Sequence, residues 1–265
     1  MNQMIRVMSQ VFFAVIMYLI LVEGVAPWFH LPGLGNIGFT LFFVLFSVFH
    51  CWSLEGAKRT AIFFGVSAIV TYAMEETGVR TGLVFGPYHY SDSLGLKLGH
   101  VPVLVPLAWF MMMYPSRVVA KAMLRDVDTR SAAGIAALSA LSALVMTAWD
   151  TVMDPGMSTV AHNWVWEKGG AYLGVPRHNY FGWLLTTFAV FCLVGWLWRA
   201  DELKVNAGKT FASLPVIVYA FFTLRYIATN HFPELQIVAA FSMGIPALVS
   251  LIHIYAKPST LAGRQ

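Results

Sequence analysis

The chain has 265 residues, of which 58% are hydrophobic and only 11% charged, against roughly 45–50% and 25% in an ordinary soluble domain. Composition therefore excludes a soluble globular protein. The net charge of +4 is scattered over short connections, which excludes a nucleic-acid-binding patch, and both cysteines, Cys51 and Cys192, lie inside apolar runs, which excludes a disulfide scaffold.

Uncharged stretches follow one another at 7–22, 37–54, 60–74, 101–116, 131–149, 178–198, 210–224 and 235–256. Each approaches the roughly 20 residues that a helix needs to cross a hydrocarbon core about 30 Å thick. They predict an all-α, polytopic transmembrane helical bundle of about eight spans, forming a single integral-membrane domain over residues 1–265. The stretches at 60–74 and 210–224 need their flanking polar turns to complete a crossing, and the count falls to seven if one does not. The first run is long and Pro27 follows Ala26, so it is expected to stay as a helix and not to be cleaved as a signal peptide.

With alternate connections assigned to one side, twelve Lys and Arg residues, Lys204, Lys257 and Arg264 among them, fall together. Four, Arg80, Lys97, Lys168 and Arg177, fall opposite, and Arg225 sits near the end of a span. The positive-inside rule then puts both termini in the cytoplasm, with the protein in the cell membrane. Acidic residues behave the other way: Glu23, Glu75, Glu76, Asp92, Asp150, Asp154, Glu167 and Glu234 map to outer ends of spans or outer connections. Chemistry is expected there, where the connections 81–100 and 155–177 are also the longest and the richest in Gly, Tyr, Trp and His.

Asp150 and Asp154 are four apart, on one helix face. Two carboxylates so placed are either neutralised by a cation, or at least one stays protonated and serves as a general acid. The plain alternative is a helix end, stopped by Pro155 and Gly156, with Asp154 facing water. Glu76 and Arg80 have the spacing of a helical ion pair, and Glu75 points about 100° away from Glu76. That group is either an ordinary ion-paired helix end or a carboxylate held beside the aspartates. The segments GLVFGPYHY (82–90), HNWVW (162–166) and PRHNYFGW (176–183) are either a membrane-interface aromatic belt or the wall of a site, since aromatic faces stabilise nearby positive charge.

Several signals carry nothing. GLGNIG (33–38) fits a dinucleotide fingerprint but lacks the strand–helix context. The eight histidines never cluster at metal-ligand spacing, no lysine lies within a span, and no G-x-S-x-G elbow occurs.

The stretches EETGVRTGLVFGPYHY (75–90), 99–106 with Trp109, WDTVMDP (149–155) and HNWVWEKGGAYLGVPRHNYFGW (162–183) resemble the integral-membrane carotenoid biosynthesis proteins. That family includes carotenoid 1,2-hydratases and the bisanhydrobacterioruberin hydratases of haloarchaea. The resemblance covers a core of about 74–183, and the first two and last two spans carry little of it. It implies addition of water across the terminal double bond of an acyclic carotenoid ψ-end group, giving a tertiary alcohol. Glu76, Arg80, Tyr88, Tyr90, Asp150, Asp154 and Trp164 carry over as motif matches.

The chemistry of the residues agrees. Protonating an isolated trisubstituted alkene needs an acid kept neutral in an apolar site, and the resulting tertiary cation needs shielding and water. Asp150 or Asp154 is expected to be the acid, and the other, or Glu76, to deprotonate the water, with Glu75 beside them. Arg80, Tyr88, Tyr90, Trp109, Trp149, Trp164, Trp166, Arg177, Asn179 and Trp183 are expected to bind the substrate. The reaction calls for no metal and no cofactor. The expected partners are the membrane, an acyclic carotenoid arriving from the lipid, and other carotenoid enzymes. Three alternatives stay open: a Mg²⁺-dependent prenyltransferase using D-x-x-x-D, an end-group cyclase, and a pigment carrier whose carboxylates relay protons.

Overall fold

A computed structural model describes residues 2–25, 33–125, 127–199 and 207–256. Ala26, Pro27, Lys204, Lys257 and Arg264, used above, lie outside the described residues. Helix α1 runs over Asn2–Val25, α2 over Gly35–Thr81, α3 over Leu104–Met123, α4 over Ala132–Asp154 and α5 over Arg177–Trp198. The short α6, Lys209–Ala212, leads into α7, Leu214–Thr229, and α8, Pro233–Ala239, continues through a π-helical segment, Ala240–Gly244, into α9, Ile245–Tyr255. The result is an all-α bundle.

The stretches at 37–54 and 60–74, read from the sequence as separate spans, belong to the single 47-residue α2. At 1.5 Å per residue such a helix would be roughly 70 Å long if straight, more than twice a hydrocarbon core. It breaks at Gly56, whose φ of 81° and ψ of 164° lie where only glycine is free of steric cost. Its two halves return to the same end of the bundle, since Asn36 from the first and Glu75 from the second line one cavity. Taking α2 as two rods and α8–α9 as one, the described residues form eight rods, the number expected from the uncharged stretches.

Five of the described helical runs are long and apolar enough to cross a membrane: α1, α2, α4 with its π-helical extension, α5 and α8–α9. Helix α7 is apolar but has 16 residues, and α3 carries Arg117 and Lys121 in its second half. Helix α3 needs less lipid-facing surface because it is packed inside the bundle. Nearly every residue of α3 from Leu104 to Ser116 is buried, with α2, α4, α7 and α9 against it. Aromatic edges knit this core, as where Phe63 meets Phe110 at 5.2 Å and Phe191 at 6.0 Å.

Both long connections fold locally. Strand β1, Tyr88–Tyr90, pairs antiparallel with β4, Trp164–Trp166, and β2, Lys97–Leu98, pairs with β3, Val101–Pro102. A further π-helical turn, Pro155–Val160, prolongs α4 toward β4. Together these cap the end of the bundle that holds Glu75, Asp150 and Asp154.

Candidate active site

A cavity of about 380 Å³ opens at that end, within the range of roughly 300–1,000 Å³ usual for small-molecule sites. The register of the β1–β4 ladder sets one wall. Tyr88 stands opposite Trp166, His89 opposite Val165 and Tyr90 opposite Trp164. Alternation along each strand turns Tyr88, Tyr90, Trp164 and Trp166 into the cavity. His89 faces out, 3.7 Å from Glu167.

Glu75, near the end of α2, is 4% exposed. Its Oε2 accepts hydrogen bonds from the hydroxyls of Tyr88 and Tyr90, the latter at 2.8 Å, and its Oε1 accepts one from Trp109 Nε1 at 2.9 Å. Burial, followed by the charge of Glu75, holds both tyrosine hydroxyls protonated well above the ordinary tyrosine range. They therefore remain donors. Three donors thus fix the orientation of one buried carboxyl group.

Asp150 and Asp154 end α4 on one face, both fully buried. The amide Nδ2 of Asn179, at the start of α5, donates to Asp150 Oδ2 at 3.0 Å and to Asp154 Oδ2 at 2.8 Å. Trp164 Nε1 donates to Asp154 Oδ1 at 2.8 Å, whereas Asp150 Oδ1 has no hydrogen-bond partner. A neutral amide thus bridges the pair. Asp154 lines the cavity and Asp150 stands behind it.

The remaining wall is aromatic. Trp183 stacks on Trp109 with ring centroids 3.8 Å apart, and Trp149 meets Trp183 edge-on at 6.1 Å. Tight packing supports the arrangement: Phe85 is wedged between α2 and α5 at Gly78 and Gly182. A Cβ on Gly78 would come within 2.8 Å of the Phe85 ring, and one on Gly182 would collide with both that ring and the Val84 carbonyl.

Of the residues singled out in the sequence, Glu75, Tyr88, Tyr90, Trp109, Trp149, Asp154, Trp164, Trp166, Asn179 and Trp183 meet at this cavity. Asp150 joins them through Asn179. Three others lie apart. Glu76 faces away from the cavity, where its carboxylate accepts from the His100 backbone N–H at 3.0 Å, contacts His100 Nδ1 at 2.9 Å and lies 3.6 Å from Arg80. Arg80 is largely exposed, and so is Arg177. The 100° turn between neighbours on a helix is the whole difference between Glu75 and Glu76.

The cavity also recruits residues from outside the motif-bearing core: Asn36 on α2, Glu23 on α1, and Arg225 and Tyr226 on α7, with Asn230 and His231 just beyond α7. Arg225 and Glu23 form an ion pair at 2.9 Å. The sequence signal for that pair was two lone, opposite charges at the ends of apolar runs, a pattern that marks functional groups in membrane helices.

No solved structure matches the chain. A bisanhydrobacterioruberin hydratase of Haloarcula japonica is 32% identical over 130 residues, 49% of this chain and 42% of that protein, so the match spans less than half of the relative's length. The family described as carotenoid biosynthesis protein matches residues 35–255, well beyond the core of 74–183 that carried the resemblance. The chain belongs to that carotenoid biosynthesis family.

Proposed function

We propose that the chain hydrates the terminal double bond of an acyclic carotenoid end group, in the cell membrane, with the cavity at the outer face and both termini in the cytoplasm. One observation carries the reading: two carboxyl centres of different character, Glu75 and Asp154, line a single aromatic cavity at the end of a membrane bundle. The Asp150–Asp154 pair shares one amide, and like charges so close and so buried hold a proton between them. Asp154, the member that lines the cavity, is the acid. Its proton adds to the less substituted carbon of the terminal alkene, leaving a tertiary cation on the dimethyl carbon. The faces of Trp109, Trp149 and Trp183 shield that cation. Water attacks it, a carbon–oxygen bond forms, and the surplus proton of the water goes to Glu75, whose carboxyl group its three donors hold in place. In this reading Glu75 has the role that the sequence left between the second aspartate and Glu76.

The hydratase relative supports the same chemistry without extending to the whole of that protein. The test is expression in a lycopene-producing bacterial host, with mass spectrometry of the pigments. Wild-type chain is expected to add one or two waters to lycopene. Asp154→Asn and Glu75→Gln are each expected to reduce hydrated product by about 10²–10⁴-fold, the usual worth of a general acid or base. A pigment of unchanged mass but altered retention would show a cyclase instead, and hydration that survives both variants would remove the two carboxyls from the mechanism.

A further inference from the structure

A hydrocarbon end group needs only one polar pole, the carboxyls, yet this cavity has two. Its lining also includes Glu23 and Arg225, ion-paired at 2.9 Å, together with Asn36, Asn230 and His231. Asn36 and His231 are exposed, so this side of the cavity reaches the exterior of the bundle. Deeper in, the bundle is closed by aromatic packing: Phe222 lies 5.6 Å from both Phe39 and Phe43. Between these limits Arg225 Nε is buried without a protein acceptor. A buried N–H facing only hydrocarbon would lose its hydrogen bond outright, whereas a water oxygen satisfies it.

We infer that the Glu23–Arg225 pair, with Asn36, Asn230 and His231, is the water-supply route of the site, delivering the nucleophile to the cation that Asp154 generates. The inference rests on the hydration reading above. The pair is well suited to the task because it is polar without being charged overall: it holds water by hydrogen bonds and adds no net positive charge to repel a carbocation. The lining toward α3 and α4, with Leu104, Val105, Ala108, Val152 and Met153, offers no such foothold and is left to the polyene. Each turnover consumes one water: its oxygen bonds to the tertiary carbon, one proton stays in the hydroxyl group, and the other passes to Glu75. If water fails to arrive, the cation has one simple exit. It loses a proton from a neighbouring carbon and returns to an alkene.

That exit provides the test. The full chain in lipid vesicles is given lycopene in D₂O, and hydrated product is measured together with deuterium in the recovered lycopene. Wild type is expected to give product with little deuterium in the recovered substrate. Glu23→Leu/Arg225→Met, which removes both charges together, is expected to cut product while the ratio of deuterated lycopene to product rises several-fold. The milder Arg225→Gln is expected to shift the same ratio less, and KM for lycopene is expected to stay put. A ratio that is unchanged in both variants overturns the route, whether product falls, as it would for a purely structural pair, or KM rises, as it would for a substrate contact. If wild type itself yields no hydrated product, the hydration reading fails first and the route falls with it.

Discussion

Glu75 and Glu76 are adjacent in the sequence and opposite in fate. Glu75 is enclosed by Tyr88, Tyr90 and Trp109, and Glu76 is bound to His100 at the surface. Glu76→Gln is therefore expected to leave hydration within a few-fold of wild type, whereas Glu75→Gln is expected to lower it by about 10²–10⁴-fold, and pigment yields from the two variants check this directly. Trp109→Phe removes one donor from a buried carboxylate, a loss of about 1.5–3 kcal/mol for a hydrogen bond to a charged group, and is expected to slow turnover more than it weakens substrate binding. Tyr88 and Tyr90 supply a pH prediction. Burial, and then the Glu75 charge, raise both hydroxyls well above the ordinary value of 10.0, so neither ionises in the folded protein as pH passes through 10. Activity in a pH titration is expected to show no loss centred there, and a midpoint near 10 would mean that these hydroxyls are open to solvent. The sequence identified two carboxylates about 100° apart on the helix but could not say which faced inward, because both faces are flanked by aromatic and polar residues alike.

At the scale of elements, the helices were legible because an uncharged run of the right length leaves few alternatives in a bilayer. The reversal inside α2 was not. It depends on one glycine, Gly56, between Glu55 and Ala57, and a left-handed φ leaves no mark on hydropathy. The β1–β4 ladder was equally hidden: three-residue strands separated by more than seventy positions have too little local pattern to announce themselves, although YHY and WVW do alternate. Close approach of α5 to the connection before β1 holds that ladder in place. Gly182→Ala is expected to destabilise the protein by about 1–3 kcal/mol, the usual cost of overpacking, and to reduce activity by displacing Phe85. Gly65→Ala, in the same bundle but with nothing near its added methyl, is expected to be neutral or slightly stabilising. Thermal unfolding of the two variants in one detergent makes the comparison.

Across the whole molecule, charge is sorted by end. Arg59, Lys121 and Glu55 gather at the end opposite the cavity, while Glu75, Asp154 and the Glu23–Arg225 pair stand at the cavity. The two long connections were enough to point to the end that holds the cavity. What the sequence could not show was closure of the site by α1 and α7, because Glu23 and Arg225 are about two hundred positions apart and meet only when the bundle forms. The proposed topology is open to labelling. Cysteine placed at the exposed Leu96 is expected to react with a membrane-impermeant maleimide in intact cells, and cysteine at Val127 only after permeabilisation. The reverse pattern would invert the protein in the membrane.

The most direct measurement is the origin of the product's oxygen. Reconstituted protein given lycopene in ¹⁸O-labelled water is expected to form a tertiary alcohol carrying one labelled oxygen for each hydrated end, and Asp154→Asn is expected to form about 10²–10⁴-fold less of it. Product without the label, or labelled product formed equally by Asp154→Asn, would contradict hydration by this pair of carboxyl centres.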